Sequence, residues 1–410
     1  MTKQPTSRPN HNQRWIQRWF ERTLFGLIGT IFTTQIGLAM YLWLKQPAEP
    51  FLIGEWLINY QGGFVRRGLL GEIIIQLSRR IMIDPVKTVI VVQIGIGALF
   101  LLLTYILLRQ TNVSIITATL FFSPAFLRFL LVAWLIVGVR KEMLFNIIFL
   151  IHLLSLRTNY SFSPILPLFI GTSTIVVILS HEMLVILLPY LLIASLCYER
   201  QWGRISYATA IAIIPASIVA SIIIQAPHTT ITTIDHLCAA LESNPPRDCI
   251  DRGHLGAITF LTKTVLQSIQ FTQSLITSEA VQVYLITGLL SIVPLIITIV
   301  SYRLWQFLPK QTLMWVGGLW GLSLATTIPL FFVAVDYGRF IHIHITCSTF
   351  LLAWFLQLTS APLSAKIQHL MHGWRASVLL VFFIGFIGSW RLPVWLGDAT
   401  YTNAFRWIWQ

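Results

Sequence analysis

Apolar runs of about 17–25 residues, each the length that crosses the hydrocarbon core of a bilayer, recur along this chain. Eleven can be traced: near 23–44, 88–108, 114–137, 143–156, 164–180, 183–197, 206–224, 282–301, 312–335, 340–358 and 376–390. Almost no other pattern leaves so few folds open, because a backbone in lipid must satisfy its own hydrogen bonds within helices or closed barrels. Composition agrees: 56% of the 410 residues are hydrophobic and 10% are charged, against about 25% charged in soluble domains. The fold class expected is all-α, a single polytopic membrane domain over 1–410 with about eleven spans and interfacial amphipathic helices. No internal repeat breaks it up, and residues 225–281 form a long loop within it.

The N-terminus is basic (Lys3, Arg8, Arg14, Arg18, Arg22) and runs into a segment too long for a signal-peptide core. It reads as a retained anchor with its basic end in the cytoplasm of a plasma (inner) membrane protein. Trp15, Trp19, Trp43, Trp56, Trp202, Trp305, Trp374, Trp390 and Trp395 fall near span ends, as in an aromatic belt. The net charge of +13 is scattered over short loops, so membrane lipids and anionic substrates are the expected partners, and nucleic acid is not.

Counting spans divides the charges into two sets. Arg109, Arg157, Glu199 to Arg204, Arg303 to Lys310 and Lys366 to Arg375 fall on one side. Residues 45–87, Arg140-Lys141-Glu142, His181-Glu182, 225–281, Asp336 to Arg339 and the C-terminal tail fall on the other. Charges abutting spans are costly, about 2.5–3.5 kcal/mol each on insertion scales, and nearly all of them gather on that second, non-cytoplasmic side.

Four constellations carry chemistry. Gly62-Gly63 precedes Arg66 and Arg67, and residues 68–84 alternate Leu70, Ile73, Ile74, Leu77 and Ile81 with Glu72, Gln76, Arg79 and Arg80. That is an interfacial helix whose N-terminus and two guanidinium groups suit a phosphate or diphosphate; gripping lipid headgroups is the plainer alternative. Arg140-Lys141-Glu142 holds charges in a tight turn between spans, free or paired with Glu182. His181-Glu182 interrupts an apolar stretch, as a general base or as a salt bridge to Arg140 or Lys141. Asp336 and Arg339, with His342 nearby on the helix, bind sugar hydroxyl and phosphate or pair with each other; His344 reads as a satisfied core histidine. Arg128 snorkels or enters a polar cavity.

In 225–281, His228, His236, His254, Cys238 and Cys249 match no zinc spacing, so a Cys238–Cys249 disulfide in an oxidising compartment is expected. A second amphipathic helix is expected over 255–278. Phosphate-loop, serine-hydrolase and zinc-protease motifs are absent. Metal-independent chemistry without a cofactor is expected.

On Arg66 and Arg67 in the first outer loop, Arg140 at a span junction, His181-Glu182 at another, and Arg339 before a late span, the chain resembles integral-membrane glycosyltransferases that use polyprenyl-linked sugars. It looks most like bacterial O-antigen and exopolysaccharide polymerases. That resemblance implies a GT-C-like architecture and transfer of a glycan from a lipid-linked oligosaccharide on undecaprenyl pyrophosphate at the outer face. It also implies a setting in cell-envelope polysaccharide biosynthesis, alongside other assembly proteins. Where the related superfamily often pairs acidic residues in its first outer loop, this chain has the separated Glu55 and Glu72. The site expected comprises Glu182, His181 and Asp336 as catalytic groups and Arg66, Arg67, Arg140, Lys141, Arg339 and Glu55 as substrate-binding groups. A transporter or flippase of anionic or lipid-linked substrates is the rival, and a scaffold for an envelope complex is a third reading.

Overall fold

A computed structural model describes all residues except 1–10, 112–113, 138, 158–164, 226–228, 242–243, 252, 361–362, 364–373 and 406–410. Lys3, Arg8, His228 and Lys366, and the side chains of Arg14 and Trp15, lie outside the described residues. Every regular element described is helical. In chain order these are α1 (His11–Leu44), α2 (Gly54–Leu57), α3 (Leu69–Ile81), α4 (Pro85–Leu108), α5 (Ile115–Phe121), α6 (Leu127–Val137), α7 (Glu142–Arg157) and α8 (Ile165–Ser180). A 3-10 turn, Glu182–Leu187, leads into α9 (Leu188–Glu199), followed by α10 (Arg204–Gln225), α11 (Ile231–Ala239), α12 (Arg247–Ile250), α13 (Val265–Leu275) and α14 (Ser278–Ser301). The chain closes with α15 (Lys310–Thr327), α16 (Leu330–Val333), α17 (Tyr337–Thr359), α18 (Trp374–Ser389) and α19 (Tyr401–Ala404).

Seven of the described segments are long and apolar enough to cross a membrane: Gln17–Leu44, Pro85–Leu108, Glu182–Glu199, Arg204–Gln225, Ser278–Ser301, Lys310–Val333 and Tyr337–Thr359. The remaining apolar runs fall on shorter pieces. The run 114–137 is split into α5 and α6 around Pro124, and α7, α8 and α18 have 16 residues each, about 24 Å at 1.5 Å per residue.

Local chemistry sets the helix starts. Asp84 caps α4, its Oδ1 accepting the Val86 and Lys87 N–H groups at 2.8 and 3.3 Å, with Pro85 in the first turn. Ser114 with Thr117, and Thr264 with Gln267, form capping boxes on α5 and α13.

Helix α17 is the axis: 83% of its most apolar stretch is buried, against 17% for Lys310–Val333 and 22% for Arg204–Gln225. The peripheral helices therefore turn most of their surface outward, where only lipid can cover it. Inside, Gln35 donates to the Gln93 carbonyl at 2.7 Å and Gln93 donates to the Leu52 carbonyl at 2.9 Å. These amides join α1, α4 and the following loop deep in an apolar region, where an unpaired amide is costly.

The described residues of the two charged sets lie at opposite ends of the bundle. At one end Gln17 donates to the Arg109 carbonyl, Arg157 bonds Gln110 and Gln357, and Thr312 donates to the Arg200 carbonyl. At the other, the described residues of 45–84, 139–142, 181–182, 229–277, 334–339 and 390–405 pack on one another. Trp56 donates to the Val139 carbonyl at 3.0 Å, Asn59 to Leu237, and Leu396 N–H to Val335. Cys238 and Cys249 are disulfide-bonded there, with Cα atoms 5.6 Å apart.

Several sequence expectations are corrected in detail. The apolar residues of α3 divide between two faces and leave the expectation of an interfacial helix standing: Ile74 is buried with Gly71, Ile75 and Ser78, while Ile73, Leu77 and Ile81 are exposed. This helix is held by packing on α2, α4 and α8, and a second apolar row faces outward. Residues 255–278 do not form one helix: a 3-10 turn, Thr259–Thr262, precedes α13. Trp19, Trp43, Trp305, Trp374 and Trp395 are exposed as a belt requires, but Trp56 and Trp390 are buried. Arg128 reaches the Ile387 carbonyl of α18.

Gly71 marks the tightest approach beneath the charged end. A Cβ there would lie 1.9 Å from the Ile58 carbonyl oxygen, a backbone atom that no rotamer change can move. Gly71→Ala is expected to cost on the order of 1–3 kcal/mol and to lower the thermal unfolding temperature in detergent. Gly95→Ala, with open space around it, serves as the control.

Candidate functional site: a buried charge cluster at one end of the bundle

Each charge in the cluster is placed by a break in regular structure. After α2 the chain runs through Gly63 (φ 108°) and Arg67 (φ 68°) before Gly68 starts α3. A left-handed arginine costs on the order of 1 kcal/mol or more, and here it turns the Arg67 carbonyl to Lys141 Nζ at 3.0 Å. Gly62 lets this loop meet α11, since a Cβ would sit 2.3 Å from the Thr233 carbonyl oxygen. Arg140 and Lys141 occupy the turn before α7, with Glu142 its first residue. His181 is extended between α8 and the 3-10 turn, so both it and Glu182 point inward rather than continuing a helix.

The side chains meet in three ion-paired groups. Arg67 offers Nε to both Glu182 oxygens at 3.0 Å, and its Nη2 lies 3.0 Å from Oε1. Arg140 donates to Glu55 at 2.5 Å and to the Phe51 carbonyl at 3.0 Å, while His181 Nε2 lies 3.5 Å from the other Glu55 oxygen. Arg339 bridges Glu142 and Asp336. Glu55, Arg140, Lys141, His181 and Glu182 are all buried, and the groups feel one another's fields across the whole cluster.

Burial alone would raise the Glu55 carboxyl, but Arg140 and, behind it, Arg339, His181 and Lys141 hold it well below the usual carboxylate range. Burial, helped by Arg67, pushes His181 down to about 4, leaving a neutral imidazole at pH 7. Burial likewise brings Lys141 down to about 8, with Glu55 opposing.

Two cations are left over. Arg66 is half-buried and makes no hydrogen bond or ion pair among the described residues. Burial and then the neighbouring Arg67 push it below the ordinary arginine value, with Glu182 opposing. Lys141 is fully buried, yet its hydrogen-bond partner is one backbone carbonyl for three ammonium protons. With His181 neutral, Arg66, Arg67, Arg140, Lys141 and Arg339 outnumber Glu55, Glu142, Glu182 and Asp336 by one positive charge. Three further buried atoms in the cluster, Arg140 Nε, Glu142 Oε2 and His181 Nδ1, have no hydrogen-bond partner. In a native protein each such atom asks for an explanation.

The nine residues expected in the site therefore lie in or beside one cluster, but the pairing differs. Glu182 meets Arg67 rather than Arg140 or Lys141, and Arg140 meets Glu55. Glu142, named only as a neighbour, bonds Arg339 across 197 residues. His342 leaves that group, its Nδ1 lying 2.9 Å from the Ala125 carbonyl oxygen with its ring stacked on Phe129. His344 is bonded by Tyr190 and Thr327. Glu72 serves the α3 entry, accepting from Tyr60 N–H and the Gln61 and Gln76 amides. Among the described residues, no group of three or more His, Cys, Asp or Glu could hold a metal ion. Sequence reasoning missed Asp248, which is fully buried and accepts from the Ile258 and Thr259 N–H groups to shape the long loop. It also missed the strap 390–405, fastened by Arg391–Asp398 and by Tyr401 N–H on Glu279.

Comparison with protein-family models, curated proteins and solved structures finds no match to this chain.

Proposed function

We propose that this is a polytopic membrane glycosyltransferase of polysaccharide biosynthesis, acting on glycans carried by undecaprenyl pyrophosphate at the extracytoplasmic face of the plasma membrane. The reading includes about eleven crossings in a GT-C-like arrangement with the N-terminus in the cytoplasm. The observation that carries it is the surplus of buried positive charge. Arg66 has no hydrogen-bond or ion-pair partner among the described residues and Lys141 has one carbonyl acceptor for three protons, both at the same end of a bundle of membrane length. Burying an uncompensated cation is expensive, so a site of this kind earns its place by receiving an anion. A diphosphate anchored in the same membrane is an anion of the right charge and location.

Arg66 and Lys141 take the first phosphate oxygens, and the Arg67–Glu182 pair supplies the switch. Arg67 turns from Glu182 to the diphosphate, leaving Glu182 as the base; Asp336 is the second candidate. The acceptor hydroxyl oxygen then bonds to the anomeric carbon while the anomeric C–O bond breaks. Its proton passes to the carboxylate, and the diphosphate leaves with the bonding electron pair, its charge stabilised by Arg66, Arg67 and Lys141. Arg140, Arg339, Glu55, Glu142 and His181 hold these groups in position.

Arg66→Gln tests this most cleanly, because it removes a charge without breaking an ion pair. Binding of a polyprenyl pyrophosphate, measured with the protein in nanodiscs, is expected to weaken about tenfold or more, the loss of one charge-assisted contact. Sugar transfer should fall with it and the melting temperature should not. Unchanged binding and transfer would reject the assignment.

A further inference from the structure

A second feature lies one residue step along α17 from Arg339. Between α14, α15, α16 and α17 the structure encloses about 280 Å³, walled by Leu285, Leu289, Ile292, Leu324, Phe340 and Ile341 among others. Its mouth faces outward, since Leu285 and Leu289 are exposed. The polar groups in its wall are already engaged. His344 is bonded by Thr327 and Tyr190, and Trp320 donates to Ser348. A ligand there meets no free donor or acceptor, so the cavity selects hydrocarbon.

Size and position narrow the occupant. A cavity of about 150 Å³ holds a benzene ring, so this one takes a segment of chain rather than a whole lipid. Its α17 wall runs from Phe340 to Ser348, about 12 Å of helix at 1.5 Å per residue, down from the level of the charge cluster. Gly288 makes the room. A Cβ there would already touch Ile341 Cδ1 at 3.6 Å, and any larger side chain would enter the space. Arg339, about 100° round the helix from Phe340, bonds Glu142, the chain neighbour of Lys141. Cluster and cavity thus share one helix, with charge at its end and hydrocarbon surface beneath.

We infer that this cavity binds the proximal hydrocarbon tail of a membrane lipid whose phosphate head sits at Arg66 and Lys141. The inference rests on the reading of the cluster as a lipid-phosphate site and adds where, and between which helices, the lipid is held. The tail enters laterally past Leu285 and Leu289 and passes Phe340.

The test uses the full chain in nanodiscs with a polyprenyl phosphate bearing a diazirine near the head end of its tail, and a diazirine-tailed diacylglycerol as headgroup control. Peptides containing Leu285, Leu289, Phe340 or Ile341 are expected to take roughly tenfold more label from the phosphate probe. Gly288→Phe, which fills the cavity, should remove that excess, and Gly288→Ala should retain it. Should Gly288→Phe fail to give a monodisperse protein, Ile292→Trp takes its place. Equal labelling by the two probes, or labelling indifferent to a filled cavity in folded protein, overturns the inference. Labelling requires no sugar transfer, so the two readings fail separately. Specific labelling in a protein that transfers nothing would unseat the glycosyltransferase and leave the lipid site, and transfer without labelling would do the reverse.

Discussion

Glu182→Leu is expected to lower the melting temperature more than any other single change in the charged end, and adding Arg67→Met is expected to restore most of the loss. Glu182 is buried and holds Arg67 through Nε and Nη2. Removing the carboxylate strands a guanidinium already within reach of Arg66, a like charge. Breaking one side of a buried pair costs about 3–5 kcal/mol, whereas replacing both sides with apolar groups of similar volume is often neutral. The double change therefore separates structure from chemistry. If the pair only fastened the first loop to the 3-10 turn, the rescued protein would be active. With Arg67 as a diphosphate ligand and Glu182 as the base, it is stable and inactive. Thermal unfolding in detergent, read beside sugar transfer in proteoliposomes, decides the matter: a double variant that is both stable and active would remove the two residues from the site.

The sequence spoke clearly where the physics is one-dimensional. Hydrophobic length announces helices, and a charge placed beside a span announces which end it occupies. Hence Arg66 to Arg67, Arg140 to Glu142, His181 to Glu182 and Asp336 to Arg339 were assigned together by counting alone. It was silent where the physics is three-dimensional. Glu55 meets Arg140 across 85 residues and Glu142 meets Arg339 across 197, and nothing local says which carboxylate faces which guanidinium. His342 was grouped with Asp336 and Arg339 because it follows them closely on the helix, and local spacing cannot see the Ala125 carbonyl beside Pro124 that its ring meets. The inner face of α3 escaped notice for a related reason. Small residues, Gly71 and Ser78, line its buried stripe, and a pattern read by hydrophobicity passes over them. The length of one helix was lost where Pro124 splits α5 from α6. There a hydropathy trace sees continuous apolar sequence and the backbone does not continue.

Lys141 yields the last expectation, because its two effects run in opposite directions with pH. Burial holds its folded-state value near 8, against 10.5 for a lysine in water. Between those values the unfolded chain keeps a proton that the folded chain has released. Stability contributed by this group is therefore least below pH 8, where a full charge is buried, and rises until about pH 10.5. Phosphate binding goes the other way, since the ammonium that weakens the empty fold is the one that holds the anion. A phosphate monoester has its second ionisation near pH 6, so the charge of a polyprenyl phosphate probe is constant above pH 7. Its affinity is expected to fall about tenfold or more between pH 7 and 9.5, as one charge-assisted contact is lost. Lys141→Met should bind as weakly at pH 7 as the native protein does at 9.5 and lose the pH dependence, without loss of thermal stability. Lys141→Arg, charged throughout, should bind with a flat profile. An unchanged slope in either variant would place the titrating group elsewhere and leave Lys141 as a buried support for the Arg67 turn.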